Sequence, residues 1–518
     1  MKPLATLLLL AAAIGCGGAP PVTKPAPVPV KPPPPALTAE PVDPLAEPPP
    51  PGVAPSLPFP SVAHRRLDNG MGIAIVPRRG FPTIELRLVA FSGQATDGTR
   101  TGVAALTGKL LKDGGAGNWT SRQLVERAEG LGTRLVVSTD RDSTRIGLSV
   151  TSSSLEPALE ILAAVAMQPR FSPEEFAKLK QREIDRVKDR ARTSPSWLAA
   201  MVLYRELYEM PVTTHPYARY DAMPGELAEL KLADARDWYR KHITAENTVL
   251  VVSGDVEPDA VERAVKQRFA AFRGPRPTPT SFSDARGPGE LELFVVDRPE
   301  STQSQVLLAT LGPERKHDAY PALMTANQIL GGGVSGRLFL DVRERRSLAY
   351  STSSWIEEPA NGPMPIVLSA GTQTARTADA VAALLEHFEK IGTSAPSAEE
   401  AERAARYLSD SFLFKMETAG AIAELTAKLL VLGLQDDAYD EYRHAVRQLD
   451  PEQISVTAGR YFEKGRVIVV VAGDANVVAK PLTRFAKVSV IDPEHGFVIA
   501  RTHPRESAAA PSPPPTRD

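Results

Sequence analysis

The chain carries an internal repeat. Residues 249–255 read VLVVSGD, and residues 468–474, 219 positions later, read IVVVAGD. Two more landmarks keep that offset and order: the β-patterned run 83–91 maps onto 302–310, and Gly114, at the end of a helical pattern, maps onto Gly333. One short apolar strand matches many others by chance, whereas three matches in register argue for a duplicated domain of about 215 residues. Each copy mixes periodicities. Runs 71–76 and 144–150 are β-patterned, while Leu155, Ala158, Leu159, Leu162 and Val165, and again Val381, Leu384, Leu385, Phe388 and Ile391, recur at helical spacing. The expected fold is α+β: two tandem homologous domains, 61–276 and 288–502, each a mainly antiparallel sheet packed with helices, joined through the Gly- and Pro-rich stretch 274–289.

Composition narrows the function classes. With 60 Lys+Arg against 62 Asp+Glu the net charge is -2, which argues against nucleic acid as a partner. Lys2, the apolar run 4–14, Gly15 and Cys16 have the parts of an export signal. Cys16 is the single cysteine, so neither an internal disulfide nor a multi-thiolate metal site is open to this chain. Placed after Ala13, Ile14 and Gly15, it resembles the lipobox of bacterial lipoproteins, with Ala13 where Leu is usual. Residues 1–16 are then a lipoprotein signal peptide and the acylated Cys16 a membrane anchor; the alternative is a plain signal peptide cut near Gly18. Either places the body outside the cytoplasm, and the lipoprotein reading puts it in the periplasm, on the outer membrane. Residues 20–60 hold 18 prolines, so 17–60 reads as an extended linker and 503–518 as a disordered tail.

The segment Leu67-Asp68-Asn69-Gly70, then a strand, then Thr101-Gly102-Val103-Ala104 and a helix, resembles the opening of the pitrilysin/insulinase family of zinc metallopeptidases. His215-Pro216-Tyr217 fits the same template, and Leu330-Gly331-Gly332-Gly333, Ser335-Gly336-Arg337-Leu338 and 343–350 resemble that family's C-terminal domain. The resemblance implies the pitrilysin/mitochondrial-processing-peptidase type of domain, made twice. In active members the first-domain helix carries His-x-x-Glu-His. Two imidazoles at i and i+4 share a helix face and bind one zinc, and the Glu activates its water. Here those positions are Ala105, Leu106, Thr107, Gly108 and Lys109, so no catalytic residue is expected in this chain. Glu183 matches the family's third ligand and is a lone relic candidate; set among Lys180, Arg182, Asp185 and Arg186, it reads rather as part of a solvated helix face. None of the eight histidines lies three or four positions from another, so no metal or cofactor is expected in this chain.

Arg343 and Tyr350 remain. On spacing alone they read as a surface arginine and a buried tyrosine. The glycine-rich context moves the reading to the family's Arg/Tyr pair, which grips substrate across a central cavity; a guanidinium and a phenol are strong donors to a developing oxyanion. Some relatives divide the labour between two similar chains, one holding zinc and the other the Arg/Tyr pair. The resemblance therefore implies a non-catalytic subunit of a heteromeric zinc peptidase that cleaves unfolded peptides, its partner a homologous zinc-bearing subunit. The alternative is a non-proteolytic peptide-binding or assembly protein on the same fold.

Overall fold

The computed structural model describes residues 57–208, 215–280 and 287–506, with isolated positions 52, 282 and 285. The signal peptide, Cys16 and most of the proline-rich stretch lie outside the described residues, as do 507–518.

The first half runs β1 (Ala63–Arg66), β2 (Gly72–Pro77), β3 (Thr83–Ala90), α1 (Val103–Asp113), α2 (Ser121–Gly130), β4 (Val136–Thr139), β5 (Thr144–Thr151), α3 (Leu155–Met167), α4 (Pro173–Thr193), α5 (Pro195–Leu207), α6 (Pro224–Glu229), α7 (Leu232–His242), β6 (Thr248–Gly254) and α8 (Pro258–Arg268). The second runs β7 (Glu292–Asp297), β8 (Gln303–Glu314), α9 (Tyr320–Gly331), a π-helix (Leu338–Arg345), β9 (Ala349–Ile356), β10 (Pro363–Gln373), α10 (Thr377–Thr393), α11 (Ala398–Asp410), α12 (Ala419–Leu432), α13 (Ala438–Gln448), α14 (Pro451–Gly459), β11 (Ile468–Gly473), α15 (Ala475–Leu482), β12 (Val488–Asp492) and β13 (Val498–His503). Local chemistry places the ends. Helix α4, for example, starts where the Ser172 hydroxyl accepts from the Glu175 N–H, Pro173 fills the first turn, and Glu174 and Glu175 face the positive end of the helix dipole.

The expected α+β duplication is present in the sheets. The first has the order β1-β2-β6-β3-β5-β4 and the second β13-β12-β7-β11-β8-β10-β9. Five strands correspond in order, and in each sheet one of those pairs is parallel, β2 with β6 and β7 with β11. The outer flank differs: β1 lies antiparallel on β2, whereas β12 lies parallel on β7 and carries β13.

The halves also exchange a helix. Helix α5 of the first half packs on β8 and β11 of the second, and α12 of the second packs on β3 and β6 of the first. Ala423 and Ala427 of α12 are buried against Ala74, Val89 and Val251. Thus β6 is buried along nearly its whole length, as a sheet covered on both faces requires.

Two expected boundaries shift. The end of the expected linker is packed: Phe59 sits 5.3 Å from the Tyr439 ring, and its N–H donates to Asp440 Oδ2 at 2.8 Å. Likewise β13 runs through His503, and the Glu506 N–H donates to the Thr483 carbonyl.

Candidate functional site

Helix α1 begins at Gly102, whose φ of 88° suits glycine; a Cβ there would also stand 2.9 Å from Ala222 Cβ. The buried Asp97 carboxylate accepts from the Gly102 and Ala104 N–H groups at 2.7 and 2.9 Å. Burial nevertheless pushes its carboxyl up to about 7, against the pull of those two donors. One turn on, Ala105 and Lys109 line a cavity of 720 Å³. Gly108 is buried toward β4, where a Cβ would stand 2.3 Å from Thr139 Oγ1, so a longer side chain fits only if Thr139 moves.

Lys109 spends its charge locally. Its ammonium pairs with Glu183 on α4, and the other Glu183 oxygen accepts from Arg186 Nε at 2.6 Å. Arg186 continues to Asp221 at 3.2 and 3.3 Å, and Asp221 also accepts from the Trp197 indole at 3.1 Å. Burial pushes the Glu183 carboxyl up, but Lys109 and Arg186 outweigh it and hold it below the usual range. The solvated-face reading of Glu183 is therefore corrected: its side chain is 13% exposed and joins α1 to α4. Helical periodicity missed this because the partner that covers Glu183 lies 74 positions away.

Across the cavity the second half contributes Glu357, Glu358, Glu424 and Lys428. Arg141 donates to Glu357 at 2.6 Å and lies over the Tyr204 ring, whose hydroxyl also donates to Glu357. Asp142 accepts from the Ala360 N–H at 3.0 Å, and Arg145 donates to Glu424 at 3.0 Å. No sequence signal pointed to this seam, since its partners lie more than 150 positions apart.

Arg343 and Tyr350 lie elsewhere, and neither lines this cavity. Arg343, on the π-helix, is half-exposed, 4.7 Å above the Phe339 ring and 3.4 Å from Glu344. Tyr350 is 55% exposed, which removes the reading of a buried tyrosine. It is the extra residue of a β-bulge: Ser351 faces Gly371 and Ala349 faces Thr372, leaving Tyr350 without a partner on β10. Its ring lies across Gly371, where a Cβ would stand 2.5 Å from the Tyr350 Cζ. Strand β9 is the open edge of its sheet. Both side chains are thus exposed, on either side of the buried Leu348 and Ala349, and the bulge lets the phenol lie over β10 at Gly371.

Comparison with known proteins gives this geometry a lineage. Residues 82–210 match the model of the insulinase family, peptidase family M16, and residues 229–408 match the model described as the peptidase M16 inactive domain. The chain belongs to the M16 peptidase family. An uncharacterized zinc protease of Mycobacterium leprae is 24% identical over 67% of this chain and 77% of its own length. A zinc protease of Helicobacter pylori is 22% identical over 77% of this chain and 89% of its own. A crystal structure described as a peptidase M16 inactive domain, from Pseudomonas fluorescens, superposes with a TM-score of 0.73 at 25% identity, covering 80% of this chain and 98% of that one. A protease structure from Helicobacter pylori gives 0.72 at 20% identity over 80% and 99%.

Within this M16 member the residues of α1 do not fit a zinc ion. Ala105 and Gly108 bring no donor atom, Lys109 brings a cation, and Glu183 is already neutralised by two cations. Among the described residues no group of three or more His, Cys, Asp or Glu is disposed to hold a metal.

Proposed function

We propose that this M16 protein is the non-catalytic subunit of a heteromeric zinc peptidase acting on unfolded peptides, with Arg343 and Tyr350 serving a site completed by a homologous zinc-bearing chain. The observation that carries the reading is the separation of the two features. The helix that would hold metal is closed by the Lys109–Glu183 pair, while Arg343, on the π-helix, and Tyr350, at the bulge of edge strand β9, are exposed and line no part of the cavity beside it. A bulge that seats a phenol over a glycine of the next strand is a positioning device, and an exposed guanidinium and phenol are available to a second molecule. In such a complex Arg343 and Tyr350 donate to the peptide carbonyl under attack, and the open edge of β9 accepts extended peptide as an added strand. The zinc and its chemistry belong to the partner.

The test is reconstitution. The chain is mixed with a homologous chain from the same organism that carries His-x-x-Glu-His, and cleavage of a fluorogenic peptide is followed. Activity of the pair with neither chain active alone is expected; full activity of the partner alone refutes the reading, and leaves peptide binding or assembly as the role of the fold. As a second part of the proposal, Cys16 is the acylated anchor holding the body to the periplasmic side of the outer membrane. Cys16→Ser then releases the protein from the membrane fraction, and unchanged association contradicts the anchor.

A further inference from the structure

The segment carrying Arg343 is wound as a π-helix over eight residues, Leu338–Arg345. Such winding is rare and is usually a single-turn insertion at a functional site, so something outside the segment must hold it. A cluster around Asp341 supplies that hold. Asp341 is 8% exposed, and its Oδ2 accepts from His387 Nε2 on α10 at 2.7 Å. Arg346 Nη2 lies 2.7 Å from the same oxygen and the Arg346 guanidinium also clasps Glu386 at 2.9 and 3.1 Å. Arg345 pairs with Asp341 from the solvent side. In the backbone the Arg346 N–H donates to the Asp341 carbonyl, five residues back, at 2.8 Å.

Geometry links that carboxylate to the winding. In an α-helix, at about 100° per residue, position i+5 stands about 140° around from i, so Asp341 and Arg346 would face apart. With i→i+5 bonds, residue i+5 returns over residue i, and one carboxylate grips the side chain whose N–H its own carbonyl accepts. The consequence is a sorting of three neighbouring arginines. Arg345 and Arg346 turn back to Asp341, and Arg343 is left outward over Phe339. Relaxing the segment to an α-helix would rotate Arg343 relative to Tyr350.

We propose that Asp341 and His387 are positioning residues that keep Leu338–Arg345 in its wide winding and so set the direction of Arg343. The inference rests on the subunit reading for its purpose, and on the Asp341–His387–Arg346 cluster for its mechanism. His387 fixes the carboxylate from inside; among the described residues its Nδ1 has no partner, and the Asp341 bond is the one polar contact its ring makes.

The test has two arms. On the chain alone, backbone amide exchange is read at Arg346 and Leu348, whose N–H groups close the segment onto Asp341 and Val342. Asp341→Asn and His387→Leu are expected to speed exchange there at least tenfold, with amides of β11 unchanged. His387→Gln keeps a donor near the Nε2 position and is expected to stay within twofold of the native chain, which separates positioning from a general loss of packing. With the zinc-bearing partner, Asp341→Asn is expected to lower kcat more than it raises KM, in parallel with Arg343→Ala. Unchanged exchange in Asp341→Asn overturns the inference whatever the peptidase assay gives, and so does exchange in His387→Gln as fast as in His387→Leu. Faster exchange combined with an Arg343→Ala variant of native turnover refutes the subunit reading instead.

Discussion

Removing the Lys109 ammonium leaves Glu183 buried with only Arg186 to balance it. Because Lys109 is itself partly exposed, Lys109→Met is expected to cost about 1–2 kcal/mol, less than a fully buried pair would. Lys109→Met with Glu183→Gln should recover most of that loss, and urea unfolding of the two variants reads it; a double variant no better than the single would show that the pair holds nothing. Two carboxyls give pH slopes of opposite sign. Glu400 is held at about 2, first by Arg337, which clasps it at 2.8 and 2.9 Å. Its unfolded value is about 4.3, so its contribution is complete above that pH and is lost as pH falls toward 2. Glu400→Gln should therefore flatten the acid limb of the stability curve. Asp97, raised by burial to about 7, behaves inversely: its contribution is lost as pH rises from about 4 to 7, where the unfolded chain has released the proton and the folded one retains it. The stability difference between Asp97→Asn and the native chain should shift in favour of the variant across that window, and thermal melts at pH 4 and pH 7.5 measure it. The residues of the degenerate helix were legible from the sequence, because their spacing is local. The pairing of Glu183 with Lys109 was not, because Lys109 lies on another helix.

At the scale of elements, what the chain pattern revealed was what repeats. The runs at 83–91 and 302–310 are β3 and β8, and the helical spacing around Leu159 and Leu384 is α3 and α10. Alternation and a 3.6-residue period are properties of one segment read alone. The exchange of α5 and α12 was not visible, since an apolar helix face does not record which sheet covers it. Nor was the π-winding, as its apolar positions Leu338 and Val342 keep ordinary helical spacing and what widens the turn is a contact with His387, 46 positions away from Asp341. The exchange makes the α12 interface tight: Ala423 and Ala427 are fully buried on the first-half sheet. Enlarging one by Ala427→Leu is expected to cost about 1–3 kcal/mol through overpacking. Chemical denaturation should show the loss, and a neutral result would mean that α12 sits more loosely than its burial implies.

For the whole molecule, a shared core predicts shared unfolding. One apolar cluster runs from Leu198 and Val202 of α5 to Leu307, Ala309 and Val470 of the second sheet, so the second half, which buries one sheet face within itself, needs the first half to cover the other. A single calorimetric transition is expected for 57–506, and the halves expressed separately should not fold; two independent transitions would contradict the interlock. A body tied together in this way, with its charged seam between Arg141 and Glu357, is suited to move as one piece against another molecule. Such a body would present Tyr350 from the edge strand of the second sheet and Arg343 from the π-helix before it, neither lining the cavity beside the closed helix of the first. The most direct measurement is the turnover of the reconstituted pair with Arg343→Ala or Tyr350→Phe in this chain, with the zinc content of the partner checked in parallel. A fall in kcat of about a hundredfold for Arg343→Ala, equivalent to about 2.7 kcal/mol of lost transition-state stabilisation, at unchanged zinc content is the expected result. Native turnover in both variants would contradict the division of labour.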